Sequence, residues 1–133
     1  MAFSTYSFSG IPNRGDKIRF NLSKCNTSLL LNAISFINKD TKQHLLYIPS
    51  LDMSSYGENP EKANEMMRAS LEYYFANLLC MDLDAIAEEL GKYGWSRTMT
   101  GSEFFISPIE IGGRSEDFNA ENNIIEYLTL QAA

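Results

Sequence analysis

The sequence is poor in cysteine and histidine, the residues most often used to build zinc sites and disulfide frameworks. Its 133 residues include two cysteines and one histidine. Cys25 and Cys80 lie far apart and form no C-x-x-C motif, so neither a metal-binding pattern nor a disulfide framework is indicated. We therefore expect two reduced thiols, no bound metal and no cofactor.

Long apolar runs are also missing. No stretch approaches the roughly 18 consecutive apolar residues that a membrane helix needs. Residues 1–10 lack the basic start and apolar middle of a signal peptide. These absences predict a cytoplasmic protein.

Positive charge is scarce, with 11 Lys and Arg against 17 Asp and Glu and a net charge of −6. Acidic residues are concentrated in residues 58–91, which carry eight Asp and Glu but only Lys62 and Arg68 as cations. Affinity for nucleic acid comes largely from cations that contact phosphates. The balance argues against nucleic-acid binding by the whole surface, although Lys17, Arg19 and Lys24 in the mildly basic first part are candidates for phosphate contact or for protection of an edge strand.

The first half of the chain predicts an arm and then a series of antiparallel strands. Residues 1–16 are rich in Gly, Pro and small polar residues, and we interpret them as a flexible arm. Apolar residues alternate from residue 17 to 22, and residues 28–38 have two apolar faces, as a central strand does. Residues 43–50 form a hairpin with residues 28–38, and Pro49 should end its second strand; a further brief strand fits before Gly57.

Two helices should follow. Asn59 and Pro60 are typical of a helix start, and apolar residues then recur three and four residues apart to Leu79. Asp82 can cap a second, shorter helix that ends near Gly91 or Gly94.

Residues 103–111 and 124–130 have the composition of strands. The whole order predicts an α+β fold, an antiparallel sheet (β-β-β-α, a short helix and C-terminal strands) with the helices packed on one face. Residues 17–133 should form a single domain with a C-terminal extension from about residue 96. That extension carries too little positive charge for a DNA-binding module, so we do not expect DNA binding.

Catalytic chemistry is not indicated. His44 has no second histidine and no nucleophile motif near it, and the acidic residues of the helices look like a solvated face. Asp40 falls in a turn and Asp52 follows a strand, whereas two-metal chemistry needs carboxylates that converge. We therefore predict that the protein is not an enzyme and has no catalytic residue.

One segment resembles a known family. Residues 47–63, YIPSLDMSSYGENPEKA, are similar to the signature of HicB-like antitoxins, in which an aromatic-x-Pro-x-Leu step, a short strand and a Gly turn lead into a helix. The likeness extends over residues 28–80, and the Leu90 to Trp95 continuation also looks like a branch of that family.

The resemblance implies a truncated ribonuclease H-like fold that binds and masks a small, basic ribonuclease toxin of the HicA type. The alternative is an orphan interaction protein that forms homo-oligomers, such as a dimer built by pairing sheet edges, and has no toxin. In either case the candidates for partner contact lie in or after the signature. They are Tyr47, Pro49, Leu51, Ser54, Tyr56 and Trp95.

Overall fold

The computed structural model describes residues 3–10, 15–99, 101–106 and 118–133. They form eight strands, two helices and 3-10 turns at Pro49–Leu51 and Glu121–Asn123. No helix in these ranges has the length and apolarity needed to cross a membrane. The strands are β1 (Tyr6–Ser9), β2 (Asp16–Asn21), β3 (Asn26–Ile37), β4 (His44–Ile48), β5 (Met53–Gly57), β6 (Ser96–Arg97), β7 (Glu103–Ile106) and β8 (Glu126–Ala132), and the helices are α1 (Pro60–Leu78) and α2 (Leu83–Gly91).

All strand pairs are antiparallel, and β3 is the centre of the sheet. One edge of β3 pairs with β8, and β8 pairs with β1. The other edge pairs first with β2, through residues 26–30, and then with β4, through residues 34–37. The sheet therefore divides beyond β3 into a β2-β7-β6 branch and a β4-β5 branch.

A buried carboxylate fills the gap between the two branches. Asp16 is only 5% exposed, and its Oδ1 accepts hydrogen bonds from the Asn32 backbone N–H at 3.0 Å and from Asn32 Nδ2 at 2.8 Å. Burial raises the pKa of Asp16, while the nearby Ser50 hydroxyl and the hydrogen bonds from Asn32 act in the opposite direction. Asp16 therefore takes the place of a strand partner where β3 passes from β2 to β4.

Both helices begin at side-chain caps and pack on one face of the sheet. Asn59 accepts from the Lys62 N–H at 2.9 Å, and Asp82 accepts from the Ala85 N–H at 2.8 Å. Alternate residues of the strands point at the helices and form the core with them. The largest fully buried side chains are Phe75, Phe104, Ile18, Leu31, Ile34, Ile48, Met67, Leu71, Leu78, Ile86, Leu90 and Leu130.

Most of the predicted elements are confirmed. The antiparallel α+β fold, the central strand, the hairpin that Pro49 ends and both capped helices are present. The strand predicted over residues 103–111 is observed as β7 up to Ile106, and residues 107–111 lie outside the described residues.

The predicted flexible arm over residues 1–16 is wrong for the part that the structure describes. Tyr6–Ser9 form β1, an edge strand paired with β8, and Phe3 is 4% exposed in the core. Arg68 Nη2 donates to the Phe3 carbonyl at 2.7 Å, and the Phe3 N–H donates to Glu72 Oε1 at 3.2 Å. Composition suggested a loop, but a strand partner more than 100 residues away orders this segment.

Asp16→Asn should keep the acceptor that Asn32 needs and remove a buried charge. A carboxyl with a raised folded-state pKa favours folding below its unfolded pKa, and that contribution is lost as pH rises through the folded pKa. We therefore expect the unfolding free energy of Asp16→Asn to increase relative to wild type as pH rises from below 4 toward 7, measured by urea denaturation.

Asp16→Ala is the matched control, because it removes the charge and also the acceptor. The two Asn32 donors would then be left without Asp16, which should lower the unfolding free energy by about 1–3 kcal/mol. Equal destabilisation by Asn and Ala at pH 7 would contradict this role of Asp16.

Candidate partner-binding surface

Residues 47–63, the segment that resembles the HicB-like signature, run without a break from β4 through β5 into α1. β4 stops at Ile48 because Pro49 lacks an N–H for the ladder, and the chain turns through Pro49–Leu51. Asp52 then adopts a left-handed backbone, with φ of 48°, and β5 returns antiparallel to β4. This turn sets the register of β4 and β5, which places Tyr47 opposite Ser54.

Gly57 allows α1 to approach the end of β5. A Cβ at this position would lie 2.5 Å from Lys62 Cβ and 2.6 Å from the Ala63 backbone nitrogen. The buried Ser55 hydroxyl donates to the Ala63 carbonyl at 2.7 Å and joins the same two elements. The start of α1 is therefore held against β5 by close backbone packing and a buried hydrogen bond.

The second part of the resemblance, the Gly-Trp step after α2, contacts the first part. Gly94 has a φ of +95° and turns the chain back toward the sheet. Trp95 Nε1 then donates to the Ser50 carbonyl at 2.8 Å in a buried position. The Pro49–Leu51 turn and the Gly94-Trp95 step, about 45 residues apart in the sequence, are therefore in direct contact, and we call this contact the joint.

Two of the six predicted contact residues belong to this joint rather than to the surface. Leu51 is 3% exposed and Trp95 is 5% exposed, so both are core residues and neither is accessible to a partner. These two apolar side chains, which suggested an interface, pack instead at the end of the core under the Pro49–Leu51 turn. Their effect on a partner would be indirect, through the shape of the turn.

The other four predicted contact residues are accessible to different degrees. Tyr47, Ser54 and Tyr56 lie on the face of the β4-β5 branch opposite the helices, because they pair with one another and with Leu45 across the ladder. Tyr56 is 52% exposed and Ser54 is exposed, whereas Tyr47 and Pro49 are half-buried. The Tyr47 hydroxyl donates to Asp52 Oδ1 at 3.0 Å, and burial together with this carboxylate raises the pKa of Tyr47.

The cationic candidates lie on the other branch. Lys17 and Arg19 are exposed on the helix-free face of β2, beside a groove of about 870 Å³, and Lys24 is exposed in the turn between β2 and β3. Arg19 forms an ion pair with Glu103, so part of its charge is offset. Phosphate contact by these residues stays a prediction.

The outer surface of the helices is acidic. Glu61 and Glu65 are exposed on α1, Glu88 is exposed on α2, and Asp82 is exposed at the α2 cap. Tyr73 and Met66 of α1 are also exposed, at 74% and 39%. This surface could attract a basic protein, because charges of opposite sign increase the rate of encounter.

The remaining chemical groups are dispersed. Among the described residues, no three of the His, Cys, Asp and Glu side chains are grouped so that they could hold a metal ion. His44 is half-buried on β4 and lines a cavity of about 400 Å³ at the N-terminal end of α1. Cys25 and Cys80 are exposed and unpaired with each other.

Sequence reasoning missed the contribution of β1 and Phe118 to these surfaces. The Phe118 ring lies 5.6 Å from Phe36 and 6.5 Å from Tyr47, between ring centroids, and so packs against the face that carries Tyr47. The alternation of Tyr6 and Phe8 with serine was a signal for β1. No local pattern pointed to Phe118, because its partners are far away in the sequence.

Comparison of the chain with family models, curated proteins and solved structures finds no match. A functional proposal therefore rests on the residues of this chain and on the resemblance of its signature.

Gly57→Ala should lower the unfolding free energy by about 1–3 kcal/mol, because the new methyl group meets the backbone at Ala63 and α1 must shift. Gly91→Ala is the control. Gly91 lies at the end of α2, and no atom lies within 4 Å of the place that a Cβ would occupy there, so alanine should be neutral or slightly stabilising. Chemical denaturation measures both, and equal effects would contradict the close approach at Gly57.

Proposed function

We propose that this chain is a HicB-like binding protein that masks a small, basic ribonuclease toxin of the HicA type. The observation that carries the proposal is the hydrogen bond from Trp95 to the Ser50 carbonyl. The two stretches that resemble the family, the Pro49–Leu51 step and the Gly94-Trp95 step, meet in this joint although they are distant in the sequence. A chance likeness in two short motifs would not require them to pack together.

The order of elements also supports the proposal. The resemblance implies three antiparallel strands followed by a helix, and β3, β4 and β5 form such a meander and lead into α1. Gly57 and Asn59, which belong to the signature, have the structural tasks that their types suggest: one permits close packing and the other caps the helix.

The electrostatics suit a basic partner. A ribonuclease that binds RNA through cations would be attracted to the exposed carboxylates of α1 and α2, and such attraction increases the association rate more than the final affinity. Occupation of the toxin's cationic surface by these carboxylates would compete with the phosphates of its RNA substrate. The chain itself is assigned no catalytic residue, and its place of action is the cytoplasm, where the RNA substrate is found.

The test is to express the short reading frame next to this gene with and without the chain. A small basic protein that arrests growth and cleaves RNA alone, and that forms an inactive complex with the purified chain, is the expected result. If the neighbouring frame encodes no such protein, or if its ribonuclease activity is unchanged by an excess of the chain, the antitoxin proposal is refuted in favour of the orphan interaction protein.

Glu65→Lys should weaken the association with this toxin, because it reverses one exposed charge on the outer side of α1. We expect the association rate at low salt to fall about fivefold and the difference to shrink at high salt. Surface plasmon resonance at several salt concentrations measures both effects.

Glu126→Lys is the matched control, since it makes the same charge change at an exposed position of β8, away from the outer face of the helices. Equal slowing by the two substitutions would show that only net charge matters, and that the acidic helix surface is not the docking site.

A further inference from the structure

β5 is an outer strand whose free edge lacks the usual protection. Within the described residues it pairs only with β4, and no backbone hydrogen bond beyond that ladder involves Met53–Gly57. The strand contains no charged residue and no proline, the features that commonly block edge-to-edge pairing. By contrast, β6 has two residues, one of which is Arg97, and the segment before β1 is bonded to α1 and to Ala133.

Exposed apolar side chains flank this edge on the helical side. Arg68 and Glu72 of α1 contact Phe3, next to β1, which is the opposite edge of the β1-β8-β3-β4-β5 arrangement. Met66 and Tyr73 lie about 100–160° around the helix from these two residues, on the flank of α1 that points away from β1. They are 39% and 74% exposed.

The other face of the sheet presents a matching feature. Tyr56 lies on β5 itself, points away from the helices and is 52% exposed. The unprotected backbone edge therefore has an exposed aromatic ring on one side and an exposed apolar flank of α1 on the other.

We propose that β5 pairs antiparallel with β5 of a second copy of this chain, about a twofold axis that passes through Ser55. This register places Met53 opposite Gly57 of the other copy and Ser54 opposite Tyr56. The small serine beside the large tyrosine gives the ring room to pack across the axis. The β1-β8-β3-β4-β5 arrangement then continues into the same five strands of the second copy.

Charge favours a second copy over the basic partner at this edge. The strand offers no charge that would attract cations, whereas the carboxylates that would do so lie on the outer side of the helices. Two copies of the chain, each with a net charge of −6, repel each other least when they meet through an uncharged segment such as β5. A strand that pairs with its own copy also closes into a twofold dimer, the commonest form of oligomer.

The ends of the paired strands determine how the dimer responds to salt. Asp52 and Glu58 flank β5 and would come close across the axis, and Lys62, whose side chain begins beside Gly57, offsets part of their repulsion. Since screening weakens the remaining repulsion, the dimer should tighten as salt increases. Toxin binding through opposite charges has the reverse dependence, so the two associations are distinguishable.

Sedimentation of the purified chain alone tests the interface. Wild type should be a dimer at micromolar concentration. Ser54→Lys/Tyr56→Lys places lysines opposite each other across the axis and should give a monomer with an unchanged circular dichroism spectrum. Thr5→Lys/Ser7→Lys, which adds the same charge at exposed positions of the opposite edge, should remain a dimer.

Cysteine pairing checks the register in a background of Cys25→Ser and Cys80→Ser. Under mild oxidation, a mixture of Ser54→Cys and Tyr56→Cys chains should form covalent dimers that join the two variants, because these positions face each other. Each variant alone should remain largely uncoupled. This experiment reports on the interface even if the lysine variant fails to fold.

A wild-type monomer, a lysine variant that stays folded and dimeric, or the absence of mixed cross-linking would each overturn the proposal. No toxin is present in these measurements. The dimer proposal can therefore fail while the antitoxin proposal stands, and the reverse is equally possible.

Discussion

The pairing of β3 is the constraint on which the rest of the structure depends. Its twelve residues have β8 along one edge and two partners, β2 and then β4, along the other. Where a strand changes partners, part of its backbone has no neighbouring strand to bond to. At Asn32 the buried Asp16 carboxylate accepts the backbone N–H in place of a strand carbonyl. The two branches of the sheet start from this point, and each presents a different surface.

The two branches have different consequences for function. In the β4-β5 branch, Trp95 donates to the Ser50 carbonyl in the turn, and α1 packs closely against Gly57 at the far end of β5. Most side chains of this branch are therefore structural, and its accessible features are the backbone edge of β5 and the exposed ring of Tyr56. The acidic outer side of the helices is separate from that edge, so the two proposed associations, with a basic toxin and with a second copy of the chain, use different surfaces.

Local patterns predicted most elements correctly, because helix caps, the proline at the end of β4 and the spacing of apolar residues act over a few residues. The same reasoning was wrong about residues 1–16, where composition suggested an arm but Phe3 and β1 are held by α1 and β8. It also assigned Leu51 and Trp95 to a binding surface, since exposure depends on what packs above a residue and not on its type.

By itself, the sequence determined the approximate positions of both helices and of most strands in the described chain, and the acidic character of α1 and α2. Only the tertiary structure decided that β1 and β8 complete the sheet, that Trp95 meets Ser50, and that β5 pairs on one side only among the described residues. The physical reason is range: caps and periodicity are read within a few residues, whereas strand order and burial depend on contacts between residues distant in the chain.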